Sequence, residues 1–454
     1  MASYNVASDS DWSVCNGGGE PNDGDVITVL PGILLTMDKN STGEETYEVV
    51  LNEGACLDLA GYNLSSDVVK GEGAYLCVNG GTLTGAVTTI ATVAADVDMG
   101  SGGEIYGSVN LGGVPTTWSG STSPAIICET AASTLDLGTD GSGGPADASM
   151  VSVEIDSAGT VTAGAAIMCG SFTHTAGTYG ASAYDHTVYG SLSLNAGTFG
   201  AQTGTWECAG TGALYLDYNN QFVSLKVSGT YTVSGSFVFV KALSGDGTIA
   251  MANHTIYFRL PSVDNWYTFT GTYTGTGSFK LYLATSRSNA AMIDLGDYAF
   301  SCVIDNAYTL TADLQCGALQ LTSANGTTGK LTCGELHCAA LLFGDDGENE
   351  NGNLETNGVV TVDSVSVDDA TAASTWNMGS SYIECDGFFD GDNLTVTDTS
   401  GTCHIMGLGT GTLQNVVTDN LILAHDFATY GANTNVGQDT HAAPGSMALC
   451  GVGY

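Results

Sequence analysis

Across 454 residues, lysine and arginine together number 8 against 48 aspartates and glutamates, and the formal charge is −40 at pH 7. Such a surface repels nucleic acid and anionic membranes, and it leaves almost no cations to pair with the carboxylates, which must be solvated or hold metal ions. Glycine numbers 63 without a Gly-X-Y period, which excludes collagen, and a hydrophobic share of 43% supplies a large core, which excludes disorder.

The opening Met1-Ala-Ser-Tyr-Asn-Val lacks a basic stretch followed by an apolar one, and no apolar run approaches the ~18 residues of a membrane helix. The expectation is a chain made soluble in the cytoplasm. Residues 1–50 precede the repeats and are read as a cap or attachment segment, with a loose acidic group at Asp9, Asp11, Asn22, Asp23 and Asp25.

From residue 51 to 205, short alternating apolar runs are punctuated by Gly, Asn, Asp and Ser, the pattern of β-strands and tight turns. Val87 to Met99 comes nearest to a helical pattern, but its Thr and Val content suits a strand. An Ala-Gly-Thr turn recurs at Ala158–Thr160, Ala176–Thr178 and Ala196–Thr198, and the pairs Leu192/Leu194 and Leu214/Leu216 lie 22 residues apart. Periods near 20 residues in a glycine-rich all-β chain predict a parallel β-helix, or solenoid, because one coil cannot bury its inward face alone and stacked coils can. Serial β-sandwich or jelly-roll domains are the alternative architecture, since hairpins with short glycine turns give similar local patterns.

Residues 206–300 form an aromatic-rich β section containing Trp206, Tyr231, Phe258, Trp266, Tyr267 and Phe279 among others. These rings either fill a wider core or form a platform for sugar rings or a partner protein. Residues 301–419 read as solenoid with acidic loops. Residues 420–454 lose alternation after Phe427 and are read as a non-solenoid cap or docking segment.

The pattern Tyr4-Asn-Val followed by Asn22-Asp-Gly-Asp-Val-Ile-Thr-Val-Leu-Pro-Gly32 resembles the start of phage-encoded parallel β-helix virion proteins. Ala55-Cys-Leu-Asp-Leu-Ala-Gly-Tyr-Asn63 resembles their first full coil, and Phe222–Phe237 and Phe300–Leu314 resemble their repeated coil. The resemblance is one of style, in patches over about half the chain, and the scarcity of bases departs from many relatives. It implies a virion-surface protein, either a tail spike or fibre or a head decoration. Its partners would be other virion proteins and host-surface polysaccharide, and homotrimers are common in the group. It transfers no catalytic residues.

Three constellations could carry chemistry. Asp345, Asp346, Glu348 and Glu350, in the glycine- and asparagine-rich segment 344–353, supply hard oxygen ligands of the kind Ca2+ takes, as do Asp386, Asp390 and Asp392; both groups also read as solvated excursions. Spikes that cleave polysaccharide use paired carboxylates, and Glu207 with Asp217 in the aromatic section is the least arbitrary pair. Cys316, Cys333 and Cys338 beside His337 are either a loose zinc set or buried thiols, the latter being how the scattered cysteines read in general. His174 and His186 suit turn or ladder roles. The functional expectations are thus a structural virion protein, a polysaccharide depolymerase, or a Ca2+-binding bacterial surface adhesin.

Overall fold

The computed structural model describes residues 2–41, 47–71, 74–79, 81–89, 95–111, 115–120, 124–129, 132–181, 183–195, 197–199, 204–216, 224–259, 266–282, 292–296, 300–304, 307–309, 313–322, 329–344, 352–367, 374–379, 381–390 and 394–397. Beyond these it describes strands at 403–407, 412–414, 417–418, 421–423, 429–430, 435–436 and 448–449. The chain forms two compact units, Met1–Thr232 and Val233–Tyr454.

The first unit is a parallel β-solenoid. One turn runs from the strand Glu48–Leu51 through Cys56–Asp58 to Asn63–Gly71, whose second half pairs back onto Glu48–Leu51. Each coil therefore supplies three strand faces. Two of them are joined around a corner, where the pairing register shifts between Ser65 and Val68. A strand that keeps its hydrogen bonds through a bulge turns a corner without leaving the ladder.

Ladder partners show how the core is built. Leu64, Leu83, Ile105, Ile126, Val153, Phe172, Leu192 and Leu214 stack one per coil, and all are buried. Leu35, Leu57, Leu76, Val97 and Trp118 form a second buried column on another face. Each such side chain is worth roughly 1.5–3 kcal/mol of burial, so the columns dominate stability. The Ala-Gly-Thr turns fall in register, with Thr160 on Thr178 and Thr178 on Thr198.

The second unit repeats the plan. Ile256, Phe279, Cys302, Leu319, Leu341 and Val365 stack on one face, and Leu331, Leu354, Trp376 and Val396 on another. Trp376 is fully buried yet satisfied, since its indole Nε1–H donates to Thr356 Oγ1 at 3.1 Å.

The parallel solenoid expected from the sequence is thus what the chain adopts. The strand pairs described are parallel, apart from an isolated antiparallel bridge between Thr139 and Pro145, whereas sandwiches and jelly rolls are built from antiparallel sheets. Among the described residues the helical structure is a single 3-10 turn, Trp12–Val14. The stretch Val87–Met99 contributes to the strands Thr82–Thr89 and Ala95–Asp98.

Strand pairing reaches into both end segments. Ser3–Val6 already pairs with Val26–Val29, which pairs with Glu48–Leu51, so stacking is under way before residue 51. Leu421–Leu423 pairs with Cys403–Gly407, and Ala448–Leu449 pairs with Leu421–Leu423, so the ladder also runs on past residue 420. Two or three apolar positions at coil spacing are enough to join a ladder, and long alternation is not required.

Candidate functional site

Around Glu207, three short strands stack in parallel: His186–Val188, Thr205–Cys208 and Ser224–Val227. Because strand side chains alternate, His186, Trp206 and Leu225 point inward in one column, while Thr187, Glu207 and Lys226 form an outward one. Glu207 Oε1 accepts from Lys226 Nζ at 2.9 Å and from Ser228 Oγ at 2.7 Å. Partial burial works to raise the Glu207 carboxyl, but these hydrogen bonds and the Lys226 charge prevail and hold it below the usual glutamate range. A carboxylate kept ionised suits a nucleophile, a base or an electrostatic stabiliser, and not a general acid, which needs a raised pKa. Asp217 lies outside the described residues.

The Ca2+ candidates Asp345, Asp346, Glu348, Glu350 and Asp392 also lie outside the described residues. Asp386 and Asp390 fall in the strand Tyr382–Asp390, which pairs on both sides, so that segment extends the ladder. Among the described residues, no three His, Cys, Asp or Glu side chains converge as a metal site.

Near the N-terminus the acidic side chains serve the backbone. Asp25 is 3% exposed; burial disfavours its charge, but hydrogen bonds from the N–H groups of Ala2, at 2.8 Å, and Asn22, at 2.9 Å, keep its carboxyl below the usual range. Asp9 Oδ1 accepts from the Leu34 N–H at 2.9 Å.

A recurring corner shows where further carboxylates go. Asp58, Asp98, Asp136, Asp294 and Asn377 each accept, through Oδ1, the N–H of the residue two positions on. Those residues, Ala60, Gly100, Gly138, Gly296 and Gly379, all have positive φ. Between each pair lies a fully buried apolar residue: Leu59, Met99, Leu137, Leu295 or Met378. This is an Asx turn that closes a coil corner. The signal was present in the sequence as Asp-Leu-Ala-Gly, Asp-Met-Gly, Asp-Leu-Gly, Asp-Leu-Gly and Asn-Met-Gly.

The zinc set separates across the wall of the coil. Cys316 and Cys338 are ladder partners facing inward, and Cys333 is also buried. His337, one residue from Cys338, faces outward with its Nε2 3.6 Å from Glu335. Burial raises the Cys316 thiol well above its ordinary value and pushes Cys333 up to about 12, so these sulfurs are protonated core groups. Among the described cysteines nine are buried, and Cys56 and Cys77 are half-buried.

His174 and His186, expected in turn or ladder roles, do sit in ladder strands, with both imidazoles turned inward and fully buried. They pack in an aromatic cluster with Phe172, Tyr179, Phe199 and Trp206, with the His186 and Trp206 ring centroids 4.6 Å apart. The Ile167 N–H donates to His186 Nδ1 at 3.1 Å, which places the imidazole proton on Nε2, and burial pushes the pKa down to about 3.

Six rings of the aromatic-rich section belong to the core, while Tyr215, Tyr257 and Tyr273 are half-buried. Trp206, Tyr231, Phe258, Trp266, Tyr267 and Phe279 are all buried. Tyr231 donates its hydroxyl to the Val188 carbonyl at 2.8 Å. Exposed tyrosines occur earlier, at Tyr62, Tyr75, Tyr184 and Tyr189, outside the stretch expected to form a platform. Comparison with protein-family models, with curated proteins and with solved structures yields no match.

Proposed function

We propose that this chain is a structural protein of a virus-particle surface, of the tail-spike, fibre or head-decoration kind, acting in assembly or host attachment. The observation that carries the reading is the unbroken buried column in each unit, such as Leu64 to Leu214, built by coils that pair in parallel. It supports a fold that supplies a stiff scaffold with a solvated acidic exterior. The resemblance of the Ala55–Asn63 coil to phage β-helix proteins points the same way, and by analogy with them the working form is a homo-oligomer, commonly a trimer. Ca2+ bound by the acidic segments at 344–353 and 386–393 belongs to the proposal as a stabiliser of the exterior. Mass spectrometry and immunogold electron microscopy of purified particles test the assignment. Label on intact particles supports it, whereas the chain found only in a cell envelope overturns it.

One observation favours a second reading. Glu207 is an ionised carboxylate on an outward ladder, flanked by Lys226 and Ser228, as a polysaccharide-cleaving spike requires of its nucleophile or base. Reducing-sugar release from host polysaccharide that is lost in Glu207→Gln would establish it; unchanged release would remove Glu207 from the chemistry.

A further inference from the structure

Cys56 and Cys77 lie on adjacent coils of the first unit with their Sγ atoms 3.5 Å apart. Their strand neighbours Leu57 and Leu76 face inward and are buried, so both thiols are on the outer side of the wall, and both are half-buried. Cys77 is itself in register with Asp58 on one side and Asp98 on the other. Each aspartate uses Oδ1 in its corner turn, to Ala60 at 2.8 Å and to Gly100 at 3.0 Å, which leaves a second carboxylate oxygen for other partners.

We propose that Cys56 and Cys77 form a surface dithiol site that takes a thiophilic divalent cation of the Zn2+ or Cd2+ class, bridging two coils. Zn–S bonds are about 2.3 Å long, so a tetrahedral Zn2+ holds two sulfurs ~3.8 Å apart. The observed 3.5 Å requires a shift of only a few tenths of an ångström.

A disulfide fits much less well. It needs sulfurs about 2.05 Å apart and Cα atoms about 4.4–6.8 Å apart. Cys56 is in register with Tyr75, two residues before Cys77. With strands ~4.8 Å apart and a rise of ~3.3 Å per residue, the two Cα atoms are ~8 Å apart. Closing a disulfide would therefore move backbone in a packed ladder, and binding a metal would not.

The electrostatics favour a cation. Asp58 and Asp98 flank the sulfurs in a chain of net charge −40, which raises the local cation concentration. The two thiols share a hydrogen bond in which either sulfur can be the donor. Binding exchanges the thiol protons for the metal, M2+ + 2 RSH → M(SR)2 + 2 H+, with water filling the remaining positions. No oxidant is involved.

The test is a Cd2+ titration of the full, reduced, metal-free chain, followed by the ultraviolet sulfur-to-cadmium charge-transfer band. The expected result is one equivalent bound through this pair. The band should be lost in the Cys56→Ser/Cys77→Ser double variant, and either single substitution should weaken binding by more than the about 10–100-fold that even an outer-shell partner is worth. X-ray absorption of the Zn2+-loaded wild-type chain should show two sulfur neighbours, a readout independent of how the variants fold. An undiminished band in a folded double variant, an all-oxygen or all-nitrogen zinc environment, or a Cys56–Cys77 disulfide in the native protein would each overturn the proposal.

Discussion

Asp58 Oδ1 accepts the backbone N–H of Ala60 at 2.8 Å and holds that alanine at a φ of 51°. The corresponding corner residues at 100, 138, 296 and 379 are glycines, so of these five turns only this one places a Cβ in the left-handed region. That conformation costs an L-residue roughly 1–2 kcal/mol, partly offset by the lower unfolded-state entropy of alanine relative to glycine. Ala60→Gly should therefore stabilise the first unit by about 0.5–1 kcal/mol. Asp58→Ala should cost about 1 kcal/mol through the lost hydrogen bond. Urea midpoints at constant m-value measure both, and a destabilised Ala60→Gly would show that the turn does not set the corner.

Close backbone approach makes a different demand at Gly210. A Cβ there would collide with the carbonyl oxygen of Tyr189, and one at Gly229 with the carbonyl oxygen of Gly210, so successive coils need glycine at this corner. Gly210→Ala should cost about 1–3 kcal/mol, the range for forcing atoms into a packed interior. Gly180→Ala is the contrasting case, because its nearest neighbour would be the Val161 carbonyl oxygen at 3.8 Å. There the change should be neutral or stabilising by up to about 1 kcal/mol. Equal effects at the two sites, by thermal or chemical unfolding, would contradict the packing account.

His186 should make stability fall in mild acid. Its folded pKa is about 3, against an ordinary value of 6.5. The unfolded chain therefore takes up a proton that the folded chain refuses. Full stability is present above pH 6.5 and is lost progressively as the pH falls toward 3, by on the order of 4 kcal/mol across the window. The −40 charge acts oppositely, since protonating carboxylates relieves self-repulsion. Comparing unfolding free energies of wild type and His186→Phe between pH 7 and pH 4 separates the two. The wild type should lose its His186-linked share and the variant should not; parallel curves would show that His186 does not titrate in this way.

The Glu207–Lys226 pair should matter little for stability. The side chains are 30% and 45% exposed, and an exposed ion pair is worth about 0–1 kcal/mol. Lys226→Met should change unfolding free energy by less than about 1 kcal/mol while raising the Glu207 pKa, readable by NMR titration. A large stability loss with an unmoved Glu207 would mean that the lysine acts through its packed stem.

Much of the coil was legible in the sequence. Leu192/Leu194 and Leu214/Leu216 gave a spacing that the ladder keeps, and the Ala-Gly-Thr turns marked the stacked threonines. What could not be counted was the offset from one coil to the next. Ile126 registers with Val153, but Val153 registers with Phe172, because an excursion around Asp140, capped onto Ser142 and Gly144, lengthens one coil. A juxtaposition such as Cys56 beside Cys77 depends on that offset, so it emerged only from the fold. The inward facing of the two histidines was hidden for a related reason. A polar residue inside an alternating run faces inward or outward according to its phase, and the phase of Phe172-Thr-His174 is set by Phe172 stacking on Leu192.

Phe172 on Leu192, and Thr187 between Met168 and Glu207, have a consequence for how such a chain changes over generations. Removing residues 172–191 would seat Leu192 on Val153 and Glu207 on Met168, with every later coil still in phase. A cut of half that size would set the strands of one coil against the corners of the next, and an odd cut within a strand would invert which side chains face the interior from that point on. Selection on length should therefore act in whole periods, so that homologous chains gain or lose complete coils while the boundaries between coils absorb the odd residues.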